Sequence, residues 1–432
     1  MIALSHNNRG NTDQMKILHV IPSFAPAWRY GGPIYAAQSL TREMARQGHE
    51  VVVMTTNIDG PNVLDVPLGR PVLMDGVEVW YFPVERPRWW CFSRPLGRAL
   101  QAQVKHFDLV DIHSIFLWPT TVAALSCQRW GVPYVIKPSG ALDPTCLNKP
   151  YDKRWVSLSS RAKKWLYFRT LGRLDLGRAS AVHFMSQAEM EATRPLRLRP
   201  PGFVVPLGVE CGQLKEESTS LRLRERYPQL DGKKVVLFLS RLDPIKGLDL
   251  LVPALGALAL RRSDFVFMLA GSGDSAYEAH VAALVKRHGI HDRTVFLGFV
   301  QGEVKRSLLR EADLFVLSSY HESFSIAIVE AMAAGLPVIV SAQASIWREV
   351  SGAGAGLVTG LDRKEITNAL DQLLSDENLR KEMGRKGAIL VREEFSLAKV
   401  VTELVQVYDQ IIKGRALTSV SVESSLGRLP VS

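Results

Sequence analysis

The chain has 432 residues, 47% of them hydrophobic and 22% charged, with 32 Gly and 23 Pro. That length supports two domains, and the apolar content excludes a disordered chain, a disulfide scaffold or a fibrous repeat. The net charge of +10 favours an anionic partner: nucleotide, phospholipid surface or nucleic acid.

Residues 1–14 are polar and lack an apolar stretch, so they do not read as a signal peptide. Met15 stands directly before the first strand-like run and reads as an alternative start. The runs Ile17–Ile21, Val51–Thr55, Val77–Phe82, Leu109–Ile112, Tyr134–Lys137, Ala181–Phe184 and Phe203–Val205 are predicted as strands, with helical spacing between them. After Pro200-Pro201-Gly202 and a charged stretch, Lys215–Arg226, the pattern restarts. Val235–Leu239, Phe265–Leu269, Val295–Leu297, Leu314–Leu317 and Pro337–Val340 are continuous apolar runs, as buried parallel strands require. Two β-α-β series predict two doubly wound α/β sheets, hence two Rossmann-like lobes. Their predicted bounds are 15–206 and 207–395. A helix at 396–414 is predicted to return to the first lobe, and residues 1–14 and 415–432 are expected to be disordered.

Cys91, Cys127, Cys146 and Cys211 are far apart, with no CxxC pair and no His cluster at metal spacing. This points to a reducing compartment, the cytoplasm, and to no metal site. The richest apolar run, Leu250–Leu260, is broken by Pro253 and Gly256 and is too short to span a bilayer of roughly 20 residues.

Ligands of such sheets bind beyond the carboxyl ends of strands, so those loops carry the candidate chemistry. Tyr30-Gly31-Gly32-Pro33 opens a helix after the first strand, a place where backbone N–H groups meet an anion. Ser240-Arg241-Leu242-Asp243-Pro244-Ile245-Lys246-Gly247 offers two cations five residues apart, suited to a diphosphate. Ala270-Gly271-Ser272-Gly273-Asp274 is expected to leave room for a base or a backbone contact. Glu322-Ser323-Phe324-Ser325 leads into a helix that carries Glu330; Ser323 or Ser325 is expected to cap it. Two carboxylates flanking free N–H groups suit the recognition of hydroxyls.

The segment from Glu322 to Glu330 and the following Glu330-Ala-Met-Ala-Ala-Gly-Leu-Pro-Val-Ile339 resemble the signature of retaining family 4 glycosyltransferases of the GT-B fold. With Ser240–Gly247, Leu269–Asp274 and the Gly-Gly-Pro loop, the resemblance covers roughly residues 15–415. It is nearest to members from bacterial polysaccharide and lipid-linked glycan assembly. The resemblance implies a nucleotide-diphosphate sugar donor, metal-independent hexosyl transfer with retention, no cofactor, and a glycan or lipid-linked acceptor. It further implies that Arg241 and Lys246 hold the diphosphate and that Glu330 binds the ribose. Glu322 and the N–H groups of Phe324 and Ser325 would grip the sugar, with Gly32 against the diphosphate or acceptor. His113 would stand near the donor sugar, Gly271 and Gly273 at the nucleotide, and Val300 at the base. Asp143, in Gly140-Ala141-Leu142-Asp143-Pro144, is a candidate acceptor contact. Ser325 replaces a usual glycine, which bears on donor-sugar identity, and Leu207-Gly208-Val209-Glu210 departs from the family's linker.

Lys149–Arg178 holds nine Lys/Arg against Asp152 and Asp175, interleaved with Trp155, Trp165, Tyr167 and Phe168. With Arg86-Pro87-Arg88-Trp89-Trp90, this composition fits either an exposed helix or an anionic membrane surface, here the inner face of the plasma membrane. Three alternatives remain: a GT-B nucleotide-sugar epimerase, a nucleic-acid binder for which no module is present, and a dinucleotide oxidoreductase lacking GxGxxG after its first strand. The excess charge is therefore assigned to membrane or acceptor, with no nucleic-acid partner expected.

Overall fold

The computed structural model describes residues 14–143, 166–211 and 223–417. The first lobe is an eight-stranded sheet of β1 (Lys16–Ser23), β2 (Glu50–Thr56), β3 (Pro71–Met74), β4 (Val77–Phe82), β5 (Leu109–His113), β6 (Tyr134–Lys137), β7 (Ala181–Phe184) and β8 (Gly202–Val204). Their order is β8-β7-β6-β5-β1-β2-β4-β3, and only β3 runs antiparallel, at the edge. The second lobe contains β9 (Lys234–Leu239), β10 (Phe265–Ala270), β11 (Thr294–Gly298), β12 (Leu314–Leu317), β13 (Val338–Ser341) and β14 (Gly356–Thr359). These run in the order β11-β10-β9-β12-β13-β14, all parallel. Five helices matter for the site: α1 (Gly32–Arg46), α2 (Leu248–Ala259), α3 (Gly302–Glu311), α4 (Ile326–Ala333) and α5 (Leu397–Ile412).

Continuous apolar runs become strands buried on both faces, which is why β9, β10, β12 and β13 were readable as sequence. Two strands of these sheets were not. Pro71–Met74 alternates exposed and half-buried positions and is held only by antiparallel pairing with β4. Gly356–Thr359 opens on glycine and is too short to show a period. The Phe203–Val205 run pairs one residue earlier, and the Pro337–Val340 run one later because proline cannot donate to the ladder.

Each sheet reverses its strand order once, at β1/β5 in the first lobe and β9/β12 in the second. Connections leave such a switch point in opposite directions and open a crevice between them. The loops after β1, β5, β9 and β12 border one cavity between the lobes.

The chain crosses between lobes twice, side by side: Val209 and Leu397 exchange backbone bonds with Phe395 and Val209 at 2.9 Å. Helix α5 then lies on the first sheet. Its Leu397, Val400, Val401, Leu404, Val407 and Tyr408 share a core with Ile17, Ile21, Leu40 and Val135. Each such buried side chain contributes roughly 1.5–3 kcal/mol, so the return of the chain is firmly held. Among the described residues no helix is long and apolar enough to cross a membrane.

Candidate active site

A cavity of about 740 Å³ separates the lobes, a size suited to a small-molecule ligand. The helices α1 and α4 start on opposite sides of it, and Gly32 of α1 faces Ile326 of α4 so closely that a Cβ would stand 3.0 Å from the Ile326 side chain. Their unpaired N-terminal N–H groups give the cavity a positive lining.

The second lobe brings five charged side chains to this space. Lys246, after β9, donates to Glu322 at 2.6 Å, and Ser319 donates to the same carboxylate at 3.1 Å. The partners come from the two loops of the β9/β12 switch point, so parallel strand order alone makes them meet. Their side chains are only 12% and 11% exposed. Glu330, in α4, takes a 2.6 Å bond from Lys305 of α3, while its second oxygen is buried without a partner. Lys305 also lies over the Tyr35 ring of α1, whose hydroxyl donates to Gln301 at 3.0 Å, tying the lobes together. Arg241 lines the cavity but is 54% exposed, 3.5 Å from Asp243, and is free to turn toward a ligand.

Most expected positions meet here. Gly32, His113, Arg241, Lys246, Gly271, Val300, Glu322, Phe324, Ser325 and Glu330 all border the cavity. Phe324 packs edge-on against Phe395, which fixes the turn that presents its N–H. Gly273 does not border it: its N–H donates to Glu278 at 2.7 Å, and its α-carbon packs on the Leu242 carbonyl. A Cβ at Gly271 or Gly273 would collide with the Ser240 or Leu242 carbonyl oxygen. Both glycines therefore let two loops cross in backbone contact, and Gly271 does so at the edge of the cavity. The capping expectation is also corrected. Ser325 is the N-cap residue of α4, but its side chain makes no capping bond, and Ser323 instead packs near Gly140 of the other lobe. The uncapped N–H groups of α4 stay available to a ligand. Asp143 sits outside the cavity lining, 4.0 Å from His321 Nδ1, which does border it. Residues 149–165 of the basic segment lie outside the described residues.

The first lobe holds what the sequence did not reveal. His19 of β1 pairs in register with Asp111 of β5, and two residues on along that face stands His113. Their donor atoms fall within 4.8 Å of one another, a cluster that the sequence, with no His cluster at metal spacing, does not display. Sequence spacing misses such a cluster because it forms across strands. The one local signal was the Asp-x-His spacing, which puts both side chains on one strand face. Lys137 of β6, paired with His113, and Glu189, which accepts backbone N–H groups from Gly140 and Met185, extend a buried polar belt. Burial pushes the Lys137 pKa down and that of Glu189 up. Burial also lowers His113 against the opposing pull of Asp111. For Asp111 burial acts upward, but His113 and His19 outweigh it and hold the carboxyl well below its usual range.

Two family descriptions match the chain: a glycosyl transferase 4-like domain over residues 31–208 and glycosyl transferases group 1 over 220–389. An uncharacterised glycosyltransferase of Methanocaldococcus jannaschii is 33% identical over 401 residues, covering 88% of this chain and 96% of that protein. The chain is a family 4-type glycosyltransferase. This glycosyltransferase is also 29% identical over 412 residues to a D-inositol 3-phosphate glycosyltransferase of Salinispora tropica, covering 88% and 81% of the two chains. Among solved structures, sucrose-phosphate synthase from Thermosynechococcus elongatus superposes with a TM-score of 0.75 at 18% identity, covering 92% of this chain and all of that one. Anabaena HepE in complex with UDP gives 0.72 at 20%, with the same coverage. The two facing Rossmann-like lobes are the GT-B architecture.

Proposed function

We propose that this glycosyltransferase moves a hexosyl group from a nucleoside-diphosphate sugar to a hydroxyl of a glycan or lipid-linked acceptor, with retention of configuration and without metal or cofactor. The reading is carried by one observation: Lys246 and Glu322 meet at 2.6 Å where the second sheet reverses, beside the uncapped start of α4. A cation, a carboxylate and free N–H groups at one point match the three chemistries of a sugar diphosphate. Known relatives support the donor class, since HepE is solved with UDP-glucose.

In this reading residues 15–206 receive the acceptor, 207–395 the donor, and 396–414 brace the first lobe. Arg241 and Lys246 neutralise the charge that develops on the leaving diphosphate, and α4's N-terminus adds its partial positive charge. These fixed charges supply leaving-group stabilisation of the kind a divalent ion provides elsewhere. Glu322 exchanges Lys246 for a sugar hydroxyl, aided by the N–H groups of Phe324 and Ser325. Glu330, with one oxygen unpartnered, accepts from the ribose hydroxyls. His113 and Gly32 face the transferred sugar from the first lobe, and Val300 meets the base. Asp143 stays a candidate acceptor contact through its neighbour His321. The basic residues of Lys149–Arg178 hold the acceptor lobe to the anionic inner face of the plasma membrane from the cytoplasm, whereas Tyr167 and Phe168 pack inward. Flotation with anionic liposomes tests this; indifference to lipid charge refutes it.

A thermal-shift screen against UDP-, GDP-, ADP- and dTDP-sugars tests the donor assignment, because a bound ligand stabilises by mass action. One base should raise the melting temperature well above the others. A flat response across the panel sinks the proposal.

A further inference from the structure

Behind His113 lies a cluster that the transfer chemistry leaves unused. Asp111 Oδ2 is 3.2 Å from His113 Nε2, 3.3 Å from His19 Nδ1, and accepts from the Tyr408 hydroxyl at 2.7 Å. The two imidazoles are themselves 3.2 Å apart, Nδ1 to Nε2. His19, Asp111 and Tyr408 are fully buried, whereas the His113 side chain keeps 11% exposure and borders the cavity. Tyr408 belongs to α5, so this contact links the returning helix to the cleft.

We propose that Asp111 and Tyr408 are positioning residues that hold His113 as its Nε2-protonated tautomer, leaving Nδ1 as a lone-pair acceptor for a hydroxyl of the bound sugar. This rests on the sugar-transfer reading above.

A neutral imidazole carries one N–H, and the hydrogen bond of one nitrogen decides what the other can do. With the proton on Nδ1, the Nε2 lone pair would face a buried carboxylate oxygen at 3.2 Å. With the proton on Nε2, the same contact sets an N–H dipole 3.2 Å from the carboxylate, an attraction in place of a repulsion. The low local dielectric enlarges the difference. His19 does not reverse it, because its Nδ1 stands 3.3 Å from the same Asp111 oxygen and lies in the same field. The other ionisable groups around the ring are Lys137 of β6, His183 of β7 and Tyr408 of α5, with the Lys246–Glu322 pair across the cleft. Lys137, a donor only, offers no competing acceptor for the Nε2 proton. Tyr408 fixes that carboxylate oxygen from α5, since its hydroxyl donates to the same Oδ2.

The decisive experiment is imidazole 15N–1H correlation spectroscopy at pH 7.5, with His113 assigned through the signal lost in His113→Gln. The expected spectrum shows a protonated Nε2 and a bare Nδ1. In Asp111→Asn and Tyr408→Phe the tautomers should mix. A protonated Nδ1 in the wild type overturns the proposal. Kinetics give a second arm: Asp111→Asn should lose at least tenfold in kcat with donor KM within threefold, and Tyr408→Phe about threefold, both with cooperative melts. Should Asp111→Asn fail to fold, Tyr408→Phe carries the test. Wild-type kcat in both variants overturns the proposal, as does a stoichiometric metal ion in the wild type that Asp111→Asn loses. A wild type that binds no nucleotide sugar overturns the donor reading instead, while the spectra still judge the tautomer.

Discussion

The two walls of the cleft solve different problems. The second-lobe wall carries charge in pairs, Lys246 with Glu322 and Lys305 with Glu330, on side chains that reach the cavity directly. The first-lobe wall shows the cavity the His113 imidazole and two cations, Arg29 and Lys137, that have no carboxylate partner in the lining, and it keeps its carboxylates behind, in Asp111 and Glu189. Charge at the surface of a cleft can move onto a ligand as it reacts. Charge behind it can only orient what stands in front.

The sharpest break of this contrast is Lys246→Ala. It should cut turnover about 10²–10³-fold, the cost of removing one preorganised group that meets charge only in the transition state. Steady-state kinetics on the responsive donor measure this, and wild-type turnover would refute it. Glu322→Gln should follow, with kcat falling about tenfold or more while nucleotide affinity, read by calorimetry, stays within threefold. Equal losses in both would recast Glu322 as a structural partner of Lys246. For the other pair the split should invert: Glu330→Gln raises donor KM about tenfold, as expected for one bond to a charged group, and leaves kcat nearly unchanged.

The smallest effect belongs to the first lobe's interior and touches no ligand. Asp175 is buried, accepts from Thr121 at 2.8 Å and Tyr167 at 3.1 Å, and has one oxygen without a partner. Burial lifts its pKa from 3.8 to about 6. A carboxyl raised on folding costs nothing below the unfolded value, where both states are protonated. It destabilises progressively as pH rises between about 4 and 6 and fully above. Asp175→Asn should therefore melt like the wild type near pH 4 and higher at pH 8, by up to about 3 kcal/mol. Identical melting at both pH values contradicts the assignment.

The contrast between walls also explains what could be read from the sequence. Arg241, Lys246, Glu322 and Glu330 each lie in a loop or helix that follows its own strand, so local motifs reveal them. The alternation of apolar runs revealed both sheets for the same reason. The first-lobe belt is built from residues on three strands, the short helix Gln187–Thr193 that carries Glu189, and the distant α5. Nothing in the neighbourhood of Tyr408 announces that its hydroxyl meets Asp111, 297 positions away. Lys305 was hidden likewise: it lies in α3 with no motif, and only helix packing brings it to Glu330. Gly273 shows the opposite case, a motif glycine that packs one loop on another away from the cavity.

The central claim is that paired side chains of the second lobe bind and discharge a nucleotide sugar. Its most direct test is release of nucleoside diphosphate by chelator-treated protein, wild type beside Lys246→Ala, with the donor chosen by thermal shift. The account predicts steady release by the wild type that added divalent ions do not increase, and release about two orders of magnitude slower in the variant. Equal rates for the two proteins, or activity that appears only when metal is restored, would contradict it.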